Sequence, residues 1–395
     1  MGHEAPDRHP VELHWQDEEA EPLAARARPW RGWVALAGVV AVLVVVPSLV
    51  QRGTVLGPIE PQQPTPTPSS ATTSRVVVPD LGPAILGVTD RWGLFALGDT
   101  SVTQIQLAAG RITTTYFAPL QSTGPVFLVV GPDRAIVKPL DRVPGYVVPD
   151  TGPVRGLTGL LDRGAPALPA SDPNQVWLGP ENDGPPVMTL TDLDGSRVLA
   201  TAPLPPGAVA VGATDDGAGN PMFRGVGGSY VARPDGLQRI TTGLVVATGP
   251  SGWLADECDE HGRCSTVGID RATGGRRGLP VGIDGNGPTG ALSPDGTSAA
   301  LVVGLQDGGT ALRLVDLVTG SDHEVGVHPA RGFGPTIVWS PDGRWLFLVD
   351  DTGHLRAVDP RTRQVSEFPG PVPLVRQLAV RTGPRRSRRS VSLPR

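Results

Sequence analysis

The sequence predicts an all-β fold, a β-propeller of about seven four-stranded blades, preceded by one transmembrane helix. Three observations predict it. An uncharged apolar run lies near the N-terminus, and a Pro/Thr-rich segment follows it. Two short sequence motifs, here called phrases, then recur 43 to 47 residues apart. Spacings of about 40 to 50 residues are typical of propeller blades, and no useful helical periodicity follows the apolar run.

Composition limits the classes of function. The chain of 395 residues contains 52 Gly and 43 Pro, which indicates many turns, and 39% of it is apolar, enough for a core. Lys138 is its one lysine, so it has neither a lysine-rich nucleic-acid arm nor a Gly-x4-Gly-Lys phosphate loop. The net charge of −5 also argues against a nucleic-acid partner.

The apolar run predicts a signal anchor at 32–51. Gly32 to Val50 contains 19 residues without a charge, about 28 Å as a helix, close to the thickness of a hydrocarbon core. Three arginines flank its N-terminal side, against one nearby on the other, so we expect a cytoplasmic N-terminus and a single pass through the plasma membrane. A cleaved signal peptide is the alternative, but the leader carries seven acidic residues and no Ala-x-Ala site follows the run.

Four further segments complete the predicted organisation. They are a disordered cytoplasmic leader (1–31), a Pro/Thr-rich stalk extended as polyproline II (52–78), the propeller ectodomain outside the membrane (79–383) and an Arg-rich disordered tail (384–395).

The clearest repeat is a turn followed by an apolar strand. Ser-Pro-Asp-Gly begins at Ser293 and again at Ser340. Pro presets φ at the second position of a turn, Asp bonds to the nearby backbone, and Gly takes the left-handed site. Six or eight blades remain compatible with these spacings.

A second phrase marks the end of a later strand in each unit. It is Ile-Asp-Arg-Ala-Thr-Gly from Ile269, Val-Asp-Leu-Val-Thr-Gly from Val315 and Val-Asp-Pro-Arg-Thr-Arg from Val358, with fainter copies at 191–195, 232–236 and 106–110. A strand at Leu374–Val380 follows the last complete unit, so we expect it to pair with the first blade and close the ring.

The Ser-Pro-Asp-Gly phrase with its strand resembles TolB-like, or WD-repeat-like, β-propeller repeats. The resemblance is sharp over 290–370 and weakens upstream. The whole arrangement is similar to the membrane-anchored propellers of GC-rich Gram-positive bacteria. This resemblance implies an interaction platform.

The chain has two cysteines, Cys258 and Cys264, which bracket a short loop between two predicted strands. Outside a bacterial membrane such a pair indicates a disulfide that staples a hairpin. The alternative is a zinc site made by the two cysteines, His261 and a carboxylate.

Other motifs give no catalytic residue and no cofactor. Gly285-Asn-Gly-Pro-Thr-Gly290 has the spacing of a dinucleotide loop, but Pro288 and the turn that follows exclude the helix such a site requires. No Gly-x-Ser-x-Gly elbow occurs, and the histidines after the anchor lie in predicted turns or strand ends.

Acidic residues form the one candidate site. Loops between the second and third strands of a blade emerge on one face, and four such loops carry carboxylates. The predicted rim consists of Glu181, Asp183, Asp256, Glu257, Asp259, Glu260, Asp307, Asp350 and Asp351. It could bind a divalent cation or a basic partner, although Asp is also a common turn residue.

The sequence thus favours a non-enzymatic binding or scaffold module with a protein or cell-wall partner. Two alternatives stay open, a metal-dependent hydrolase or lactonase centred on the propeller channel, and a transmembrane sensor.

Overall fold

A computed structural model describes residues 74–78, 81–82, 84–180, 186–204, 208, 215–279, 290–305, 307–332 and 334–382. Within these ranges the secondary structure is β, apart from three short 3₁₀ turns at Ile85–Gly87, Leu107–Ala109 and Gly159–Asp162. The all-β prediction is therefore confirmed for this part of the chain.

Twelve strands lie in the first half of the described chain. They are β1 (Arg75–Val78), β2 (Gly93–Leu97), β3 (Ser101–Gln106), β4 (Arg111–Tyr116), β5 (Val126–Val130), β6 (Arg134–Pro139), β7 (Tyr146–Pro149), β8 (Arg155–Gly156), β9 (Ala167–Pro169), β10 (Gln175–Leu178), β11 (Val187–Asp192) and β12 (Val198–Pro203).

Sixteen described strands follow. They are β13 (Met222–Gly225), β14 (Gly228–Arg233), β15 (Gly236–Thr241), β16 (Leu244–Gly249), β17 (Gly252–Cys258), β18 (Cys264–Asp270), β19 (Arg276–Gly278), β20 (Gly290–Leu292), β21 (Ser298–Gly304), β22 (Thr310–Asp316), β23 (Asp322–Val325), β24 (Ile337–Trp339), β25 (Leu346–Val349), β26 (Leu355–Val358), β27 (Val365–Glu367) and β28 (Gln377–Arg381).

Antiparallel pairing groups these strands into seven blades. Blade 1 is β28, β2, β3 and β4 with β1 outside; blades 2 and 3 are β5–β8 and β9–β12; blades 5, 6 and 7 are β16–β19, β20–β23 and β24–β27. Blade 4 has three described strands, β13–β15, and residues 209–214 before it lie outside the described chain. We call the strands of a blade A to D in sheet order. In blade 4, β13, β14 and β15 take the letters B, C and D, because the turn between β14 and β15 contains the fainter copy, at 232–236, of the repeated phrase.

The A strands connect the blades into a ring. β28 contacts β5, β5 contacts β9, β16 contacts β20, β20 contacts β24, and β24 contacts β28. The pairing of β16 with β20 is parallel, as expected for the first strands of neighbouring blades. This arrangement is that of a β-propeller.

Turn chemistry shapes each blade. In the A–B turn of blade 6, the Asp295 carboxylate accepts hydrogen bonds from the Ser293 hydroxyl (2.6 Å) and the Thr297 N–H (3.1 Å). Gly296 takes φ +71°, which strains any residue with a Cβ. Blade 7 repeats the turn with Ser340 and Asp342. The second repeated phrase forms C–D turns, as in blade 5, where Asp270 accepts the Thr273 N–H (2.8 Å).

Strand direction gives the ring two distinct faces. Because successive strands alternate in direction, the A–B and C–D turns emerge on one side, here called the AB face. The B–C turns and the connections between blades emerge on the other side, the BC face. Apolar side chains fill the space between blades; Trp92, for example, packs edge-to-face on Phe347 with ring centroids 5.8 Å apart.

The C-terminal strand closes the ring, as the sequence predicted. β28 pairs antiparallel with β2, from Leu97↔Gln377 to Gly93↔Arg381. The buried Gln377 side chain reaches blade 2, where its Oε1 accepts the Leu128 N–H (3.1 Å) and its Nε2 donates to the Val126 carbonyl. The closing strand thus holds two blades together.

The N-terminal edge differs from the prediction. The sequence predicts Arg75–Val78 as part of the stalk, but these residues form β1 and pair with β4, from Arg75↔Thr115 to Val78↔Ile112. The Arg75 guanidinium also donates to the Asp150 carbonyl (2.9 Å) in blade 2. The backbone pairing of three successive valines, with this contact, outweighs the polar composition of the preceding segment.

The membrane prediction concerns residues outside the described chain. The predicted leader, the span at 32–51 and the tail at 384–395 all lie there, as does the stalk up to residue 73. Among the described residues, no helix has the length and apolar composition needed to cross a membrane.

Candidate functional site

The B–C hairpin of blade 5 is the most distinctive feature of the BC face. β17 and β18 pair without a register shift from Gly252↔Asp270 to Cys258↔Cys264. Every residue from Cys258 to Ser265 is exposed. We call residues 258–264 the hairpin tip.

Cys258 and Cys264 form a disulfide across the base of this tip, as the sequence predicted. The cysteines are cross-strand partners in the last pair of the hairpin. The disulfide closes a small ring of chain, so it fixes the local shape of the tip far more than the stability of the domain.

Hydrogen bonds within the tip fix it further. The Asp259 carboxylate accepts the N–H groups of His261 and Arg263, both at 2.9 Å, and pairs with the Arg263 guanidinium at 2.8 Å. The backbone hydrogen bond from Arg263, the largest effect, and its side chain lower the pKa of Asp259. The Glu260 and His261 side chains stay 87% and 67% exposed.

Glu257, on β17 directly before the tip, attaches the hairpin to its surroundings. Its carboxylate accepts hydrogen bonds from the Thr241 hydroxyl in blade 4 and from Arg276 in blade 5. Arg276 also donates to the Ile240 carbonyl (2.9 Å). Partial burial acts to raise the pKa of Glu257, but these hydrogen bonds and the Arg276 charge outweigh it and hold that pKa low. The hairpin is therefore fixed in place at Glu257 as well as within its tip.

Two further predicted acidic residues lie in the B–C turns of blades 6 and 7. Asp307 accepts the Gly309 N–H (2.8 Å). Asp350 is buried and accepts the Thr352 hydroxyl (2.6 Å) and Arg356 Nε (2.7 Å).

Four members of the predicted rim remain, and one of them, Asp256, is half-buried on β17. Asp351 is exposed, and its backbone N–H donates to the His328 carbonyl (2.7 Å). Glu181 and Asp183 lie outside the described residues. Asp307 and Asp350 thus serve their own turns, and cation binding by the rim stays a prediction.

Over the described ranges, one group offers three metal-ligating atoms within 4.8 Å of one another, namely Asp256, Cys258 and Cys264. Both sulfur atoms are in the disulfide, so this oxidised form lacks the thiolates that zinc prefers. His261, the fourth ligand of the zinc alternative, is not in the group, and its Nδ1 lies 3.8 Å from Glu260.

Sequence reasoning missed a buried ion pair on the AB face. The fully buried Asp216, in the A–B turn of blade 4, binds the Arg271 guanidinium from the C–D turn of blade 5. Arg271 also donates to the Gly249 carbonyl (2.8 Å) and lies 4.3 Å from the ring centroid of Trp253. The partners are 55 residues apart, and no local signal connects them.

Two further charged residues were also missed. Burial, with the adjacent charge of Asp216, raises the pKa of Asp215. Lys138 is buried, and its ammonium donates to the carbonyls of Leu161 (2.9 Å) and Arg163 in the connection between blades 2 and 3. Lys138, like the Asp216–Arg271 pair, thus joins structure from neighbouring blades through charge.

Comparison with known proteins finds only distant structural similarity. No protein-family model and no curated protein matches the sequence. Among solved structures, the chain is similar to a functionally unknown protein from Desulfotomaculum acetoxidans, with 12% identity, a TM-score of 0.48, and coverage of 75% of this chain and 100% of that one.

Two further solved structures show the same distant similarity to β-propellers. TolB from Acinetobacter baumannii has 16% identity, a TM-score of 0.41, and coverage of 74% of this chain and 66% of that one. Apo AztD from Citrobacter koseri has 13% identity, a TM-score of 0.37, and coverage of 73% and 97%.

Proposed function

We propose that the protein is a membrane-tethered, extracytoplasmic β-propeller that acts as a non-enzymatic binding module. Its N-terminus lies in the cytoplasm, one helix at 32–51 crosses the plasma membrane, and the propeller lies outside. The BC face binds a protein or cell-wall component, and the hairpin tip is the principal contact.

The observation that carries the proposal is the construction of the hairpin tip. An exposed tip buries little apolar surface and contributes little to folding stability. Yet a disulfide, the Asp259 hydrogen bonds and the Glu257–Arg276 pair all fix its shape. A rigid exposed element loses little conformational entropy when it binds, so its rigidity favours recognition.

Two observations support the location. Disulfides persist in oxidising compartments outside the bacterial membrane, and the apolar run with its arginine flank is typical of a signal anchor.

The exposed Glu260 carboxylate and His261 ring give the tip polar groups for a partner. A partner with a basic group opposite Glu260 would complement it.

The test is co-purification of the full-length protein from its own cells after chemical crosslinking, with mass spectrometry of the bound material. We expect Glu260→Arg to reduce recovery of the dominant partner at least about tenfold, the effect of losing about 1.4 kcal/mol. Asp235→Arg reverses an exposed charge in the C–D turn of blade 4, on the AB face, and is the matched control. Equal recovery by both variants and the wild type would exclude the tip as the contact.

A further inference from the structure

Three potential metal ligands converge on one side of the blade 5 hairpin. Asp256 precedes Cys258 by two residues on β17, so their side chains point to the same face. Cys264 lies directly across from Cys258. The Asp256 carboxylate and the two sulfur atoms all lie within 4.8 Å of one another.

The hairpin does not depend on the disulfide for its register. Six consecutive cross-strand pairs lead up to the pair of cysteines. Beyond them, the Asp259 N–H donates to the Arg263 carbonyl (2.9 Å), and the Asp259 carboxylate holds two further N–H groups. We expect the two thiols of the reduced form to stay opposite each other, beside Asp256.

The disulfide is accessible to reduction. Both cysteines are exposed, and exposed disulfides are those open to thiol exchange. A dithiol supplies two electrons and two protons, becomes a cyclic disulfide and leaves Cys258 and Cys264 as thiols. A divalent cation then displaces the two thiol protons, because only the thiolates are ligands.

We propose that the reduced hairpin binds a soft divalent cation of the zinc type through the Cys258 and Cys264 thiolates and the Asp256 carboxylate. Water completes the coordination. The disulfide is the oxidised, metal-free state of this site, so the redox state of the hairpin controls metal binding. This site does not depend on the proposed binding function.

The test uses full-length protein in detergent, reduced with a phosphine, desalted without oxygen and titrated with Cd²⁺ as a spectroscopic probe for zinc. We expect one Cd²⁺ per chain, with the ultraviolet charge-transfer band of two thiolate ligands. Oxidised protein and the double variant Cys258→Ser/Cys264→Ser should show no band. Thermal melting confirms that each sample is folded.

A pair of single variants tests the third ligand. Asp256→Asn should keep the band but weaken Cd²⁺ binding at least about tenfold. Asp235→Asn, at an exposed turn of blade 4, should leave the affinity unchanged and is the control. The proposal is overturned if the reduced wild type shows no stoichiometric band, or if Asp256→Asn binds as tightly as the wild type.

Discussion

At the scale of the residue, two adjacent carboxylates in the A–B turn of blade 4 meet opposite environments. Asp216 is fully buried but has Arg271 and the Asn220 and Ala218 N–H groups as partners (2.9 Å each for the two N–H groups). Asp215 accepts the Gly217 N–H (2.6 Å) while burial and the neighbouring charge of Asp216 raise its pKa. The charge on Asp215 therefore lowers the stability of the native state, whereas the charge on Asp216 is compensated by its partners.

Asp215→Asn should stabilise the protein at neutral pH and not in acid. A carboxyl whose pKa is raised by folding destabilises the native state once the pH exceeds its unfolded pKa, and that cost disappears below about pH 4. Asn keeps an oxygen for the Gly217 N–H and carries no charge. We expect the melting temperature to rise by about 2 °C at pH 7.

Melting curves of the protein at pH 7 and pH 3 test whether the substitution stabilises it only at neutral pH. Asp235→Asn, at an exposed turn of the same blade, should change neither curve. A variant that melts at or below the wild-type temperature at pH 7 would contradict the role assigned to Asp215.

At the scale of the element, the closing strand β28 joins blades 1 and 2 through one side chain. Gln377 extends the hydrogen bonding of the strand sideways by satisfying the Leu128 N–H and the Val126 carbonyl of β5. The neighbouring Arg381 guanidinium reaches Asp150 (3.0 Å) and stacks 4.4 Å from the Phe95 ring centroid. The junction of blades 1 and 2 is thus held by specific polar contacts.

Gln377→Ala should destabilise the domain by about 2–4 kcal/mol, because it leaves a buried donor and a buried acceptor without partners. Denaturant unfolding of the propeller measures the change in the free energy of unfolding. Gln238→Ala, on the exposed outer strand of blade 4, should stay within about 0.5 kcal/mol of the wild type. Equal stability of the two variants would show that Gln377 does not hold the ring closed.

For the disulfide, in contrast to Gln377, we predict a small effect on stability and a large effect on binding. Removing it with Cys258→Ser/Cys264→Ser should lower stability by no more than about 2 kcal/mol, because the loop it closes is short. Recovery of the partner should fall much further, because the tip keeps its register but becomes more mobile without the crosslink and so loses more conformational entropy on binding. A large loss of stability with unchanged recovery would assign the disulfide to folding instead of recognition.

At the scale of the whole molecule, turn chemistry made the propeller predictable. The Asp295 and Asp342 turns and the C–D turns at Asp270, Asp316 and Asp359 depend on residues close in sequence, so the period of the blades is visible in the chain itself. The closing strand was also predictable, because one strand remained after the last complete blade.

Contacts between blades were not predictable in the same way. Asp216 and Arg271 are 55 residues apart, and Lys138 reaches carbonyls more than 20 residues away. β1 is only four residues long and follows a polar segment. The predicted acidic rim shows the same limit, because a carboxylate in a turn has the same local sequence whether it binds its own backbone or a ligand.

The central claim, that the hairpin tip of an extracytoplasmic propeller binds a partner, is tested most directly by photocrosslinking in living cells. A photoreactive amino acid replaces Glu260 in the full-length protein, and a second strain carries it at Asp235 on the opposite face. We predict one dominant crosslinked product from position 260 and none from position 235. Identical products from both positions, or none from either, would contradict the claim.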